Sequence, residues 1–530
     1  DDRSPEAAAR RDAHARERLA ALRKVDRDAL TGEDRISYDC ALIDARRAVD
    51  DQRYPALRTR VLSALQGVQL SLPALMRDMP ARNELDARNA LARLKAMPRR
   101  IAQDMAWARE GKRLGWVTFR GSLGRVADEI DALVAMPPAD SPLVDPFRRL
   151  PGDLPDGLRQ ALREEAIATL RDQVLPAFLE LRKMVVDELL PASPDNGAMG
   201  AYPDGDAIYR LLLREQATLP VDANAANRQA LAEVALLHAR IAEVIGQTGF
   251  SGGEAEFVEF VNHDPRFFYA KADDLLLALR DIAKRVDPEL TRLFLVLPRT
   301  PYGIRAIPAF EGPDAAESTT AGAVDGSSPG WLNVNVVALS RQPAWRMEDL
   351  FLNHGMPGRH LQNSRARELA LLPAFRRVAQ PEAYVDGWAQ YCEGLGRELG
   401  LYEDPYARYG QLQAELARAA RLAVDTGIHA LGWTRAQAID YLIRETGASA
   451  GDAAAEVDRC ITQPARALGG EIGRMKLVEL RQKARSELGA RFDLRAFHQE
   501  LLDHGALPLP VLDGVIADWI GRVKAEPAPP

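Results

Sequence analysis

One stretch constrains the fold more than any other. Between Pro298 and Pro343 the chain is rich in Pro, Gly, Ser and Thr, with short β-type runs at Gly303–Ala309 and Trp331–Val337. Nearly everything around it has apolar residues at helical spacing. The pattern predicts a mainly α protein, one large helical body with a small β-sheet insert at 298–343. A soft boundary falls near 191–200, where Pro191-Ala-Ser-Pro194 and Asp195-Asn-Gly197 form a turn cluster. A helical N-terminal part, 1–190, and a catalytic-like part, 191–530, are expected to form one continuous body.

Helices are expected at Pro5–Leu22, Pro98–Gly111, Leu158–Leu190, 223–247 and 273–298, and from Trp345 onward. Asn83 is placed to cap a helix whose first turn carries Glu84 and Asp86. Met136–Pro155, rich in Pro, Asp and Gly, is expected to be a long surface loop. With 530 residues the chain can bury more than one core. Lys and Arg number 69 against 76 Asp and Glu, a net charge of -7, and no long basic run occurs, which argues against a nucleic-acid partner. No apolar stretch approaches the roughly 20 residues of a membrane-spanning helix. Three cysteines, Cys40, Cys392 and Cys460, make neither a disulfide framework nor a Cys-rich zinc site and read as free thiols.

The segment with most chemistry is Phe351-Leu-Asn-His-Gly-Met-Pro-Gly-Arg-His-Leu-Gln362. His354 and His360 are six apart, whereas two ligands on one helical face need a spacing of three or four. Pro357-Gly358 is expected to break the helix between them. Asp386, Gln390, Glu393 and Arg397 share one helical face by spacing, as do Arg421, Asp425 and His429. For the first set a salt-bridged face competes with a cavity wall. For the second an internal strut is favoured over proton transfer.

The 351–362 segment resembles the signature His-Glu-x-x-Pro-Gly-His-His of the bacterial family known as domain of unknown function 885. Tyr384-Val-Asp-Gly-Trp-Ala-Gln-Tyr-Cys-Glu393 and Arg418-Ala-Ala-Arg-Leu-Ala-Val-Asp-Thr-Gly-Ile-His-Ala-Leu-Gly-Trp433 are similar to further blocks of it. So are Tyr202-Pro-Asp-Gly205, Asp325-Gly-Ser-Ser-Pro-Gly330, Glu456-Val-Asp-Arg459 and Phe492-Asp-Leu-Arg-Ala-Phe-His498. The resemblance runs over essentially the whole chain and implies a zincin-like metallopeptidase body, in which histidines hold zinc and a neighbouring Glu activates water.

By the same resemblance, several chemical positions are altered. Asn353 stands in place of the first His, His354 in place of the catalytic Glu and Arg359 in place of the next His. Asp386 replaces a Glu expected to be the third ligand. Cys460 and Gly470 each stand where Tyr is usual, and Ala465-Arg466 lie in an altered block. An Asn amide is a poor zinc ligand. Without Glu at 354 no carboxylate is placed to deprotonate a bound water. A unit charge about 4 Å from another costs about 4 kcal/mol at an effective dielectric of 20, and a divalent ion beside Arg359 would cost about twice that. No metal or other cofactor is therefore expected, and an Arg359–Asp386 ion pair is expected to tie the two helices instead.

Three functions are compatible with these changes. One is a repurposed, metal-independent enzyme acting on a small molecule or peptide-like substrate. It would use His354, Arg359, His360, Asp386 and Glu393 as catalytic groups and Arg421, Asp425, His429 and Arg466 for substrate binding. A second is a non-catalytic relative that binds such a molecule. The third is a metallo-hydrolase of amide bonds with His354, His360 and Asp386 as ligands. Chemically active replacements favour the first, whereas Gly470 points away from catalysis. The resemblance also implies a bacterial protein, with a lean to the periplasm or secretion. The sequence does not state an oligomeric state.

Overall fold

A computed structural model describes residues 2–308, 312 and 315–526. The chain divides into two compact units, each threaded more than once. The first comprises Asp1–Arg23, Ala45–Ile208 and Ile461–Gln463; the second comprises Lys24–Asp44, Tyr209–Cys460 and Pro464–Pro530.

The first unit is helical. Ser4 caps the Pro5–Leu22 helix, and Pro5 occupies the first turn, where its missing N–H costs nothing. The Glu84–Arg113 helix begins one residue after Asn83, whose side chain accepts from the Asp86 N–H at 2.9 Å. Pro98 lies inside this helix rather than at its start. Leu91, Leu94, Met97, Ile101 and Met105 form its buried stripe, packed with Phe147, Leu162, Phe178 and Leu181. The long pattern from 156 to 192 is almost continuous, with wider π turns at Leu170–Val174 and Val185–Leu189 that bury Leu170, Val174, Val185 and Leu189. The region expected to be a surface loop is different. It contains helical turns at Pro142–Val144 and Asp145–Arg148 that send Leu143, Val144 and Phe147 into the core. Ser141 caps the first of these turns, Pro142 and Pro146 sit at their starts, and Pro137, Asp140, Asp153 and Pro155 remain exposed on either side.

In the second unit the helix expected over 273–298 ends at Val286 and gives way to a 3-10 stretch, Asp287–Arg292, because Pro288 cannot continue the hydrogen-bond ladder. The β insert is a three-stranded sheet of β1 (Tyr302–Ala306), β2 (Ser318–Thr320) and β3 (Gly330–Val334). Its order is β1-β3-β2, with β1 parallel and β2 antiparallel to β3. Ala309, at the end of the first expected run, lies outside the described residues. The helices Met347–His354, Arg359–Glu368, Glu382–Glu393, Pro405–Leu431 and Arg466–Leu488 form the main body with Ala223–Thr248. Glu382–Glu393 and Arg466–Leu488 pack unusually closely. A Cβ at Gly473 would lie 1.6 Å from the Ala383 carbonyl oxygen, and one at Gly387 would lie 2.6 Å from the Gly473 backbone. That contact, together with fully buried Trp388 and Tyr384, fixes the helix that carries Asp386 and Glu393.

Candidate functional site

The chain leaves its helix after His354 and re-enters one at Arg359, so Pro357-Gly358 does break the helix. At Gly358 a Cβ would sit 2.0 Å from the Asn353 carbonyl oxygen, so only glycine allows this close return. The Pro357 carbonyl accepts from the Trp388 indole N–H at 3.0 Å, which pins the break to the Glu382–Glu393 helix. As a result Asn353 and Arg359 lie side by side, and the Arg359 Nε–H donates to Asn353 Oδ1 at 3.2 Å.

From this contact a row of polar groups extends both ways. In one direction Arg359 pairs with Asp386 at 2.7 Å, as expected from the resemblance and their opposite charges. Glu382, one helical turn before Asp386, in turn pairs with Arg466 at 2.7 Å. In the other direction the Asn353 amide donates to Glu393 Oε1 at 2.6 Å, and Arg418 closes a two-pronged ion pair on Glu393. Three arginines thus face three carboxylates, with one asparagine joining the halves. Exposure falls along the row. The Arg466 side chain is 55 % exposed, Arg359 and Asp386 are 26 % and 27 % exposed, and Glu393 is 0 % exposed.

The inner end is strongly polarised. Burial raises the Glu393 carboxyl above the usual range, while Arg418 and the Asn353 amide pull it down. Nearby Asp349 is raised well above its usual value, first by burial and then by the Glu393 charge. One Asp349 carboxylate oxygen is enclosed without a hydrogen-bond partner. Burial thus pushes both carboxyls toward the neutral form, and the direct grip of Arg418 opposes this most closely at Glu393.

The two histidines make their hydrogen-bond contacts outside this row. Thr319 on β2 donates to the His354 carbonyl at 2.8 Å and lies 3.4 Å from His354 Nδ1. Burial, then Arg359, pushes His354 down to about 3, so its ring is neutral at physiological pH. His360 Nε2 lies 3.2 Å from the Thr300 carbonyl, which can only accept; that nitrogen therefore carries the hydrogen. The bare Nδ1 is buried without a partner, and burial lowers this histidine as well. Among the described residues no group of three or more His, Cys, Asp or Glu is arranged to hold a metal ion.

Of the remaining expected residues, Arg466 joins the row through Glu382, but Arg421, Asp425 and His429 do not. Arg421 pairs with Glu456 at 3.3 Å. Asp425, 0 % exposed, accepts from the Tyr209 hydroxyl at 2.6 Å and from the Ala465 N–H at 3.0 Å. Ala465 has a left-handed φ of 68° immediately before Arg466. Burial raises Asp425 to about 7, against the two hydrogen bonds that lower it. His429 Nε2 donates to the Cys460 carbonyl at 3.1 Å. These three act as struts between helices. Arg397, expected to share the Asp386–Glu393 face, sits beyond the helix end in the Arg397–Leu399 turn. Gln390 fills the space beside Gly470, where a Cβ would meet its Nε2 at 2.4 Å. Sequence reasoning missed Arg418, Glu382 and Asp349. Arg418 pairs with a residue 25 positions away on another helix, and no local spacing signals that.

A crystal structure from Colwellia psychrerythraea, of a protein whose lipoprotein assignment is provisional, is similar over 98% of this chain and 92% of that one, with a TM-score of 0.92 and 26% identity. A second, from Shewanella oneidensis, a provisional lipoprotein of unknown function, is similar over 97% of this chain and 93% of that one, with a TM-score of 0.72 and 17% identity. No curated protein matches. The family of bacterial proteins of unknown function designated DUF885 matches residues 1–516, in keeping with the motif blocks above, and the chain belongs to that family.

Proposed function

We propose that this protein binds a peptide or small molecule in a cleft of metallopeptidase ancestry without cleaving it, and that arginine–carboxylate pairs do the structural work a metal would do. The observation that carries this reading is Arg359, whose guanidinium reaches both Asp386 and Asn353. A permanent cation holds together the positions that would surround zinc in the relatives with the usual motif, so this donor set does not fit a divalent ion. The other candidate catalytic groups fit the same reading. A general base works best with a pKa near the operating pH, and His354 is held at about 3. Glu393 is closed off by Arg418 and Asn353. The lipoprotein designation of the Colwellia relative favours the cell envelope, which fractionation of the native host would check.

One observation favours the repurposed enzyme as a second reading: Arg359 and Asp386 keep about a quarter of their side chains exposed and could meet a substrate. The test is to incubate purified protein with amide, ester and lactone substrates, with and without chelator, and to measure its metal content. We expect no turnover and no stoichiometric zinc. Chelator-sensitive hydrolysis would establish instead an altered ligand set of His354, His360 and Asp386. Chelator-resistant hydrolysis lost in Asp386→Asn would establish the repurposed enzyme.

A further inference from the structure

The first unit contains a cleft of about 1130 Å³, and every residue lining it belongs to that unit. Six arginines line it: Arg3, Arg10, Arg11, Arg58, Arg60 and Arg100. Among the described lining residues three aspartates face them: Asp2, Asp12 and Asp104. Arg58 is engaged by Asp12 through both its terminal nitrogens, and Arg100 by Asp104 at 3.2 Å. Among the described residues Arg3, Arg11 and Arg60 pair with no carboxylate, and the Arg11 guanidinium donates to the Asp2 backbone carbonyl at 3.0 Å. Asp2 is 3.9 Å from Arg10 and is also approached by Arg99 at 3.3 Å.

Arg60 is the most telling of the three. Its guanidinium donates to the Thr462 carbonyl, and no carboxylate pairs with it among the described residues. Burial depresses its pKa with no carboxylate to offset the loss of water. Arg3, nearer the surface, is lowered by partial burial and by the charges of Arg100 and Arg11, and Asp104 offsets part of this. Converging guanidinium groups that repel each other become favourable when an anion enters. Their planar forks match the oxygens of a phosphate. Between the charges, Leu57, Val61 and Trp107 supply carbon surface. The indole N–H of Trp107 is already taken by the Arg3 carbonyl at 2.7 Å, so this residue offers a ring and not a donor. The volume suits a small organic molecule.

We propose that this cleft is a binding site for a phosphorylated small molecule with an apolar body, its phosphate held by Arg3, Arg11 and Arg60 and its body lying against Trp107. This site is independent of the reading given for the second unit.

The experiment is calorimetric titration of the full chain with phenyl phosphate, inorganic phosphate and benzoate. Phenyl phosphate should bind best, inorganic phosphate more weakly for want of the ring, and benzoate weakest. Added sodium chloride should weaken all three. Arg60→Gln and the double variant Arg3→Gln/Arg11→Gln should each lower phenyl phosphate affinity roughly tenfold or more. Arg299→Gln, an 87 % exposed arginine outside the cleft, should leave it unchanged. If Arg60→Gln fails to fold by circular dichroism, the double variant decides, since its side chains lie at the surface. The proposal is overturned if phenyl phosphate fails to bind at millimolar concentration, or if the double variant binds it as well as the parent. Benzoate binding more tightly than phenyl phosphate would overturn the phosphate assignment.

Discussion

Two arginine-rich regions of this protein solve opposite problems. In the second unit Arg418, Arg359 and Arg466 meet Glu393, Asp386 and Glu382 one to one, with Asn353 as the connecting link. In the first unit six arginines face three aspartates around an open volume. Charge balance makes the first region self-sufficient: each guanidinium is met by a carboxylate of the protein, and its effect should appear as stability. Charge excess leaves the second dependent on an external anion, and its effect should appear as binding. The comparison teaches that arginine content says little. What matters is whether the fold brings a carboxylate to each guanidinium.

The largest effect that would test this contrast is at Arg418. Arg418→Met would leave the fully buried Glu393 without its cation, and should cost about 3–5 kcal/mol in a denaturant titration. Arg418→Met/Glu393→Met should recover most of that loss, because an apolar pair of similar size is tolerated. A small effect of the single variant would show that Glu393 does not carry its charge in the folded protein.

Next in size is the pH response of Asp425. The folded protein holds this proton up to about 7, whereas the free side chain releases it at about 3.8. Between those values the folded state binds more protons, so stability falls as pH rises through the interval and is level outside it. Asp425→Asn should flatten that fall, by roughly a few kcal/mol at most, in chemical denaturation measured from pH 4 to pH 8. An unchanged slope would mean that another group sets the pH response.

Smaller again is the half-buried pair. Arg359→Met should cost about 1 kcal/mol, since solvent screens part of the attraction and Asn353 loses a donor. A rise in thermal stability would instead mark Arg359 as a residue kept for function, and would strengthen the repurposed-enzyme reading. The smallest effect is at the exposed end, where Arg466→Gln should change stability by less than about 0.5 kcal/mol. The double cleft variant Arg3→Gln/Arg11→Gln should likewise be neutral or slightly stabilising, because it removes repulsion. If it destabilised as much as Arg418→Met, the contrast between the two regions would collapse.

Much of this was legible in the residues. The Asn83 cap, the helix Pro5–Leu22 and the strands near 302 and 331 follow from local chemistry: a side chain satisfying a nearby N–H, proline in a first turn, alternation beside turn residues. The helix break at Pro357-Gly358 followed from proline geometry, and the Arg359–Asp386 pair from the positions these residues take in the family resemblance together with their opposite charge. Other features were not legible. Pro98 reads as a helix start yet lies inside the Glu84–Arg113 helix, where surrounding packing tolerates it. Met136–Pro155 reads as loop, but Phe147 and Leu143 are drawn inward by neighbouring helices. The face Asp386, Gln390, Glu393 and Arg397 was cut short because the helix ends at Glu393.

The sequence by itself determined a mainly helical protein with a small sheet, and membership of its family. Helical periodicity, turn chemistry and ordered motif blocks are local, so they survive without coordinates. Only the tertiary structure decided that Arg418 reaches Glu393, that Asp425 accepts from the Ala465 N–H, and that arginines distant in sequence converge in the first unit. Each of these depends on which helices pack together and how closely. Glycines such as Gly387 and Gly473 permit that closeness, but their local sequence does not announce the partner.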